Sequence, residues 1–274
     1  MRFMKIVPYL ILSCFAASSA VSHEFWISPE QFVYLPDERV QANLKVGQDF
    51  GGSSYSYNNN NFTRFEVVTD GTTSEVTGRL GDLPAMSIDP PVDGLLTIVH
   101  ETDDSLLTYS NWDKFTKFVE HKAFPKTLED HVARGIPKDA KFTESYRRFA
   151  KSLVAIGDGK GTDSPVGLRT EIVALDNPYR MKKDKISVRV LLEGKPKPNT
   201  QVELFEKSPS GDVEITLHTT DPSGDVSLPI KRGHSYLVDA VSMLALENDD
   251  PNDGPVWASL WASLTFLVPQ QPLQ

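Results

Sequence analysis

Hydrophobic and polar positions change rhythm twice along this chain. Between Phe25 and Val99, short apolar runs alternate with polar positions and are cut by turn residues, the period-two signature of half-buried strands. The pattern predicts strands over 32–35, 40–46, 62–69, 75–80 and 95–100. Gly51-Gly52-Ser53-Ser54 and Asn58 to Asn61 share one polar, tyrosine-bearing stretch, read as a surface loop or as a lid near a site. From 111 to 156 helical spacing takes over. Asn111 is placed to cap a helix with Trp112, Phe115, Phe118 and Val119 on one face, and Pro125 opens a second helix that Gly135 ends. Lys141 to Ile156 carries a third stripe, Phe142, Tyr146, Phe149, Leu153 and Val154, closed by Gly157. Strands return after Thr170, over 186–192, 201–206, 213–219, 226–229, 236–243 and 260–268. Turn residues such as Gly194-Lys195-Pro196 and Asp221-Pro222-Ser223-Gly224 separate them.

The fold class predicted from this rhythm is mainly β: two β-sandwich-like domains with a helical insert, about 111–156, in the first. The domain division is 23–165 for the N-terminal β domain and 166–274 for an immunoglobulin-like C-terminal sandwich.

The first residues follow a different logic. Arg2 and Lys5 precede an apolar run from Ile6 to Phe15, too short to span a membrane, and then the small residues Ala16 to Ala20 and Ser22. This is the pattern of a cleaved secretory signal over 1–22, which places the mature protein in the periplasm. A lipoprotein route through Cys14 is the weaker alternative, because Ile11-Leu12-Ser13-Cys14 is a poor lipobox. A cut after Ser22 makes His23 the new N-terminus. Its free amine and its imidazole can then chelate one metal ion, which no internal residue can do. A cut after Ala20 leaves His23 third in the chain, where the amine, two amides and the imidazole suit square-planar Cu(II) or Ni(II).

Composition narrows the chemistry. The single cysteine, Cys14, lies in the signal, so any metal site must use nitrogen and oxygen donors. The net charge of −9 excludes the basic footprint of a nucleic-acid partner. No further long apolar run follows, so no transmembrane segment is expected in the mature chain. There is no GxSxG nucleophile motif and no phosphate loop, since glycine-rich 157–161 follows its predicted helix instead of preceding one.

Six histidines remain, with no HExxH, HxH or HxxxH pair among them. His23 is the leading ligand, and Phe25, Trp26 and Ile27 would anchor it against fraying. His100 ends a strand beside Glu101, Asp103 and Asp104. His121 ends a helix, where it can complement the helix dipole or serve as a ligand. His234 opens a strand after Gly233. His131, among Glu129, Asp130 and Arg134, reads as part of a solvated helix face, and His218 as an outward strand residue. The candidate metal set is therefore His23, His100, His121 and His234.

Several segments carry a resemblance: HEFWI at 23–27, HETDDSLLTYSNWDKF at 100–115, FTESYRRFAKSLVAIGDG at 142–159, LRTEIVALDNPYR at 168–180 and TDPSGDVSLPIKRGHSYLVDAV at 220–241. The chain resembles the bacterial DUF4198 proteins, exported proteins often grouped with periplasmic components of cobalt and nickel uptake systems. The resemblance implies a β-rich N-terminal part, an immunoglobulin-like C-terminal domain, and a metal role centred on His23. The expected function is binding of nickel, cobalt or copper and delivery to a membrane transporter, without catalysis. Two rivals stand beside it. One is a copper-dependent oxidative enzyme built on an N-terminal histidine, with Tyr55 and Tyr57 supplying an aromatic substrate face. The other is a metal-free carrier or adhesion module.

Overall fold

A computed structural model describes residues 23–89 and 92–274; the expected signal, 1–22, lies outside them. The N-terminal half begins with β1 (Glu24–Pro29), β2 (Val33–Tyr34), β3 (Val40–Gln48), β4 (Gly51–Tyr55), β5 (Phe62–Thr69), β6 (Thr72–Glu75), β7 (Met86–Ile88), β8 (Gly94–Thr102) and β9 (Ser105–Tyr109). Two helices follow, α1 (Trp112–His121) and α2 (Thr127–Ala133), and then a long strand, β10 (Phe142–Ile156). Strand β3 pairs with β1, β4 and β7 in a small sheet. That sheet covers β5, β8 and β10, with Phe25, Ile27, Ala42 and Leu44 on one side of the core and Phe65, Ile98, Ala150 and Val154 on the other.

The C-terminal half contains β11 (Thr170–Ala174), β12 (Lys185–Leu192), β13 (Lys195–Pro196), β14 (Gln201–Lys207), β15 (Val213–Thr219), β16 (Asp225–Pro229), β17 (Ser235–Ala245) and β18 (Pro255–Leu267). One sheet pairs β12 with β11, β16 and the short β13, and the facing strands run β15-β14-β17-β18. Leaving β13 aside, these are the A-B-E and C′-C-F-G sheets of an immunoglobulin-like sandwich. Even-numbered residues of the second sheet, among them Val202, Leu204, Val238 and Leu264, fill the core between the two. Tyr236, early in the F-type strand, reinforces the assignment. Its hydroxyl accepts from the amide of Lys231 at 2.6 Å and donates to that residue's carbonyl at 3.3 Å, the tyrosine corner of such sandwiches.

The two halves share a sheet. Thr143 to Ser152 of β10 runs parallel to β18, with Thr143 opposite Pro255 and Ser152 opposite Thr265. A ten-stranded sheet thus passes across the 165/166 boundary.

Three expectations change. The stretch 141–156, read as a third helix, is strand β10, so the helical insert ends at Ala133. From Phe149 to Ile156 every residue is buried, because β10 is covered on both faces. A strand in that position has no polar alternation to announce it, and its apolar residues also fit a helical stripe. The 75–80 strand is replaced by β6, ending at Glu75. Gly51 to Ser54, read as loop, is part of β4. A side chain on Gly47 would meet the Gly51 carbonyl oxygen at 2.0 Å, so the β3–β4 hairpin closes only because glycines face each other. Asp49 and Phe50 make its turn, both at positive φ. The αL backbone at Phe50 is held by packing, its ring lying edge-on to Trp26 at 5.7 Å.

Candidate functional site

The site is organised by β1. Alternation sends Phe25 and Ile27 into the N-terminal core. Glu24 and Trp26 face the other way, toward the odd-numbered side of β14 and β17, where Trp26 packs with Phe50, Phe205 and Leu237. The Oγ1 of Thr265 on β18 donates to the Ile27 carbonyl at 2.7 Å. The strand is therefore buried on both faces, as the Phe25-Trp26-Ile27 run implies, while His23 just before it is exposed. The Nη2 of Arg148, on β10, donates to the His23 carbonyl at 3.3 Å.

On the Phe25 side lies a cleft of about 560 Å³, bounded by β1, β3, the loop after Tyr55, the end of β8 and β10. That is within the roughly 300–1,000 Å³ typical of small-molecule sites. His100 forms its floor and is 2% exposed. Its ring lies 5.2, 5.2 and 5.0 Å from the rings of Phe25, Phe62 and Phe65, and neither ring nitrogen has a hydrogen-bond partner. Burial pulls its pKa down to about 3, so the imidazole is neutral at pH 7 and keeps a free lone pair. An unpartnered buried polar group of this kind costs about 1–3 kcal/mol.

The cleft walls differ in character. Asn58, Asn60, Asn61, Asp103 and Asp104 make one side polar. On the other, the Arg148 guanidinium lies 4.8 Å over the Tyr146 ring, and its Nε is buried without a partner. Burial lowers the pKa of Arg148. The asparagine loop borders this cleft. Tyr57 does not offer a substrate face, because it is buried against Phe62 and Phe65. Of the tyrosine pair only Tyr55 is exposed.

On the Glu24 side a second group is sealed between β1, the end of α1 and the C-terminal sheet. The Nζ of Lys122 lies 2.7 Å from Glu203 Oε1 and 3.1 Å from Asp239 Oδ2, and 4.9 Å from the Trp261 ring centroid. Burial pushes Glu24 up to about 7, with the nearby Asp239 adding to it. Burial likewise raises Asp239 against the pull of Lys122. Burial works to discharge Lys122, but Asp239 and Glu203 outweigh it and its pKa is raised.

The candidate histidines separate accordingly. His121 reaches this ion cluster, with Nδ1 3.8 Å from Glu203 Oε1. His234 pairs with a different carboxylate, Nδ1 lying 3.0 Å from Glu206 Oε1. Glu203 and Glu206 are three residues apart on β14, so they point to opposite faces of the sheet, and His121 and His234 do not meet. His100 and His121 flank β1 on its two sides. Among the described residues, no three His, Cys, Asp or Glu side chains are grouped to hold a metal ion.

His131 corrects its expectation outright. It is fully buried, not on a solvated face, and accepts the Trp257 Nε1–H at 3.0 Å. Glu129 is exposed, but Arg134 folds in to lie 4.8 Å over the Trp257 ring, while the His131 ring packs against Trp112, Phe115 and Phe142. His218 keeps to its strand, 2.9 Å from Thr216 Oγ1. Sequence reasoning missed Arg148, Tyr146 and Glu24. For Glu24 the signal was the charge itself, the one charged residue in β1; Arg148 and Tyr146 had none, since β10 also carries Glu144, Arg147 and Lys151.

Two sandwiches joined through one sheet, with a cleft beside the terminal strand, define a β-sandwich protein whose C-terminal half is immunoglobulin-like. The chain belongs to the DUF4198 family, a domain of unknown function, whose model matches residues 20–243. No curated protein matches it. Among solved structures, similarity is found to the D0-D1 domain of intimin, at 11% identity and a TM-score of 0.22, covering 88% of this chain and 97% of that one. A tetra-tandem repeat in the extending region of a large adhesion protein matches at 11% identity and TM-score 0.20, covering 89% and 49%. Escherichia coli alpha-2-macroglobulin activated by porcine elastase matches at 13% and 0.22, covering 89% and 20%. No helix among the described residues is long and apolar enough to cross a membrane.

Proposed function

We propose that this chain is an exported transition-metal-binding protein that captures nickel, cobalt or copper in the periplasm and hands it to a membrane transporter. In this reading the signal is cut after Ser22. The amine and imidazole of His23 form the chelate, and His100 supplies a third nitrogen from the floor of the cleft. The observation that carries the reading is His100: a buried, neutral imidazole with both nitrogens unpartnered, in contact with the ring of Phe25, two residues on from the exposed His23. A set of nitrogen donors without thiolate suits Ni(II), Co(II) or Cu(II). Arg148 supports the arrangement by holding the His23 carbonyl at the cleft wall. His121, engaged with Glu203, and His234, on the far face of the sheet, are left out of the site.

The test is native mass spectrometry on protein exported through its own signal and purified without chelators or added metal. The expected result is a mass beginning at His23 plus one nickel, cobalt or copper ion, lost in both His23→Ala and His100→Phe. A metal-free protein that takes up none of these ions on titration overturns the proposal.

A further inference from the structure

The most completely buried charged group lies away from the cleft, where β10 meets the segment joining the two halves. Lys151 on β10, Asp163 in the connecting segment and Glu171 on β11 have side chains only 1% exposed. The Lys151 Nζ lies 2.8 Å from Asp163 Oδ1, 2.9 Å from Asp163 Oδ2 and 2.9 Å from Glu171 Oε1. Both carboxyl oxygens are thus in reach of one nitrogen, and Oδ1 is not aligned as a hydrogen-bond acceptor despite its closeness. The carboxyl carbon between them then stands roughly 3 Å from Nζ, a near-attack separation.

The surroundings fix the geometry. Asp163 Oδ2 accepts from the Ala174 amide at 2.9 Å. Glu171 accepts from the amides of Val166 at 2.9 Å and Leu168 at 3.3 Å. Val166, Leu168 and Phe149 belong to the apolar cluster beside it. A nucleophile, an electrophile and a second carboxylate touching the nucleophile are held rigidly and away from water.

From this juxtaposition we propose that Lys151 and Asp163 form an intramolecular isopeptide bond, with Glu171 as the catalytic proton carrier. The Lys151 ammonium first passes a proton to the Asp163 carboxylate, leaving a neutral amine beside a neutral acid. Burial favours that acid form by raising the pKa of Asp163 against the pull of Lys151. The Nζ lone pair attacks the Asp163 carboxyl carbon. Glu171 takes a proton from the nitrogen and returns it to the departing hydroxyl. One N–C bond forms, one C–O bond breaks and one water leaves; nothing is oxidised or reduced, and Glu171 is regenerated. The bond would tether the connecting segment to the strand shared by both halves.

The test is intact mass measurement of the denatured mature protein, followed by peptide mapping. The expected mass falls short of the chain's own, counted from the N-terminus found, by one water. The map contains a branched peptide joining Lys151 to Asp163 that survives hydroxylamine. Glu171→Gln, of nearly the same shape, is expected to fold to the same circular dichroism spectrum and to carry the full mass. A wild-type chain of full mass overturns the proposal. So does a water loss traced to a hydroxylamine-labile succinimide, or to Lys122 in its similar carboxylate pair.

Discussion

Trp257 donates its indole N–H to Nδ1 of His131, and that contact fixes the imidazole as a buried acceptor whose Nε2 has no partner. Protonating Nδ1 would break the bond and bury a charge. Burial first, and then Arg134, pull the pKa of His131 down to about 4. His100 behaves alike at about 3. Both are depressed below the unfolded value of about 6.5, so the unfolded chain binds more protons and stability is lost as pH falls from there toward 4 and 3. The melting temperature should fall across this window, and His100→Phe should flatten the slope. An unchanged slope in that variant would count against a neutral buried His100.

Glu144 bends the curve the other way. It accepts from Tyr109 Oη at 2.9 Å and from Ser259 Oγ, yet burial pushes it up to about 7. A carboxyl raised from 4.5 is protonated in the folded state over the interval up to 7, so stability declines as pH rises through that interval. Glu144→Gln should remove this decline while preserving a hydrogen-bonding group. Chemical denaturation at pH 5 and pH 8 checks it, the variant gaining relative to wild type at the higher pH.

Tyr236→Phe deletes one hydroxyl and leaves the Lys231 amide without its acceptor. The expected loss is about 1–3 kcal/mol, with the fold retained. A cost below a few tenths of a kcal/mol would mean the tyrosine corner is ornamental here.

Trp26→Ala empties a position bounded by Phe50, Phe205 and Leu237. Buried Trp to Ala changes cost about 3–5 kcal/mol. Because Trp26 helps fasten β1 against the C-terminal sheet, the metal uptake proposed for His23 should weaken together with stability. Titration at a temperature where the variant is still folded separates the two effects. Full affinity there would show that the terminal strand need not be anchored for binding.

Much of the architecture is legible wherever a strand has one wet face. The alternations at 62–69 and 213–219 match β5 and β15 to the residue. The Asn111 cap is equally readable, its Oδ1 accepting from the Asp113 amide at 2.7 Å. Legibility fails at β10, where cover on both faces erases the alternation, and at β4, where glycines pair because they carry no side chain. The site was half legible. The anchoring of β1 and the strand-end position of His100 follow from local sequence, but the cleft depends on Arg148 and Tyr146 arriving from β10, more than 120 residues after His23. His131 shows the complementary error: charged neighbours in sequence said nothing about the apolar wall that its own side chain meets.

The parallel pairing of β10 with β18 has a consequence for how the molecule comes apart. The last strand of the C-terminal sandwich is also the neighbour of β10 in the N-terminal one, so there is no free border between the halves at which melting could stop. Calorimetry should record one transition, and a chain cut at 165/166 should yield two sticky fragments instead of two working modules. On this pairing the two halves are expected to stand or fall as one cooperative unit.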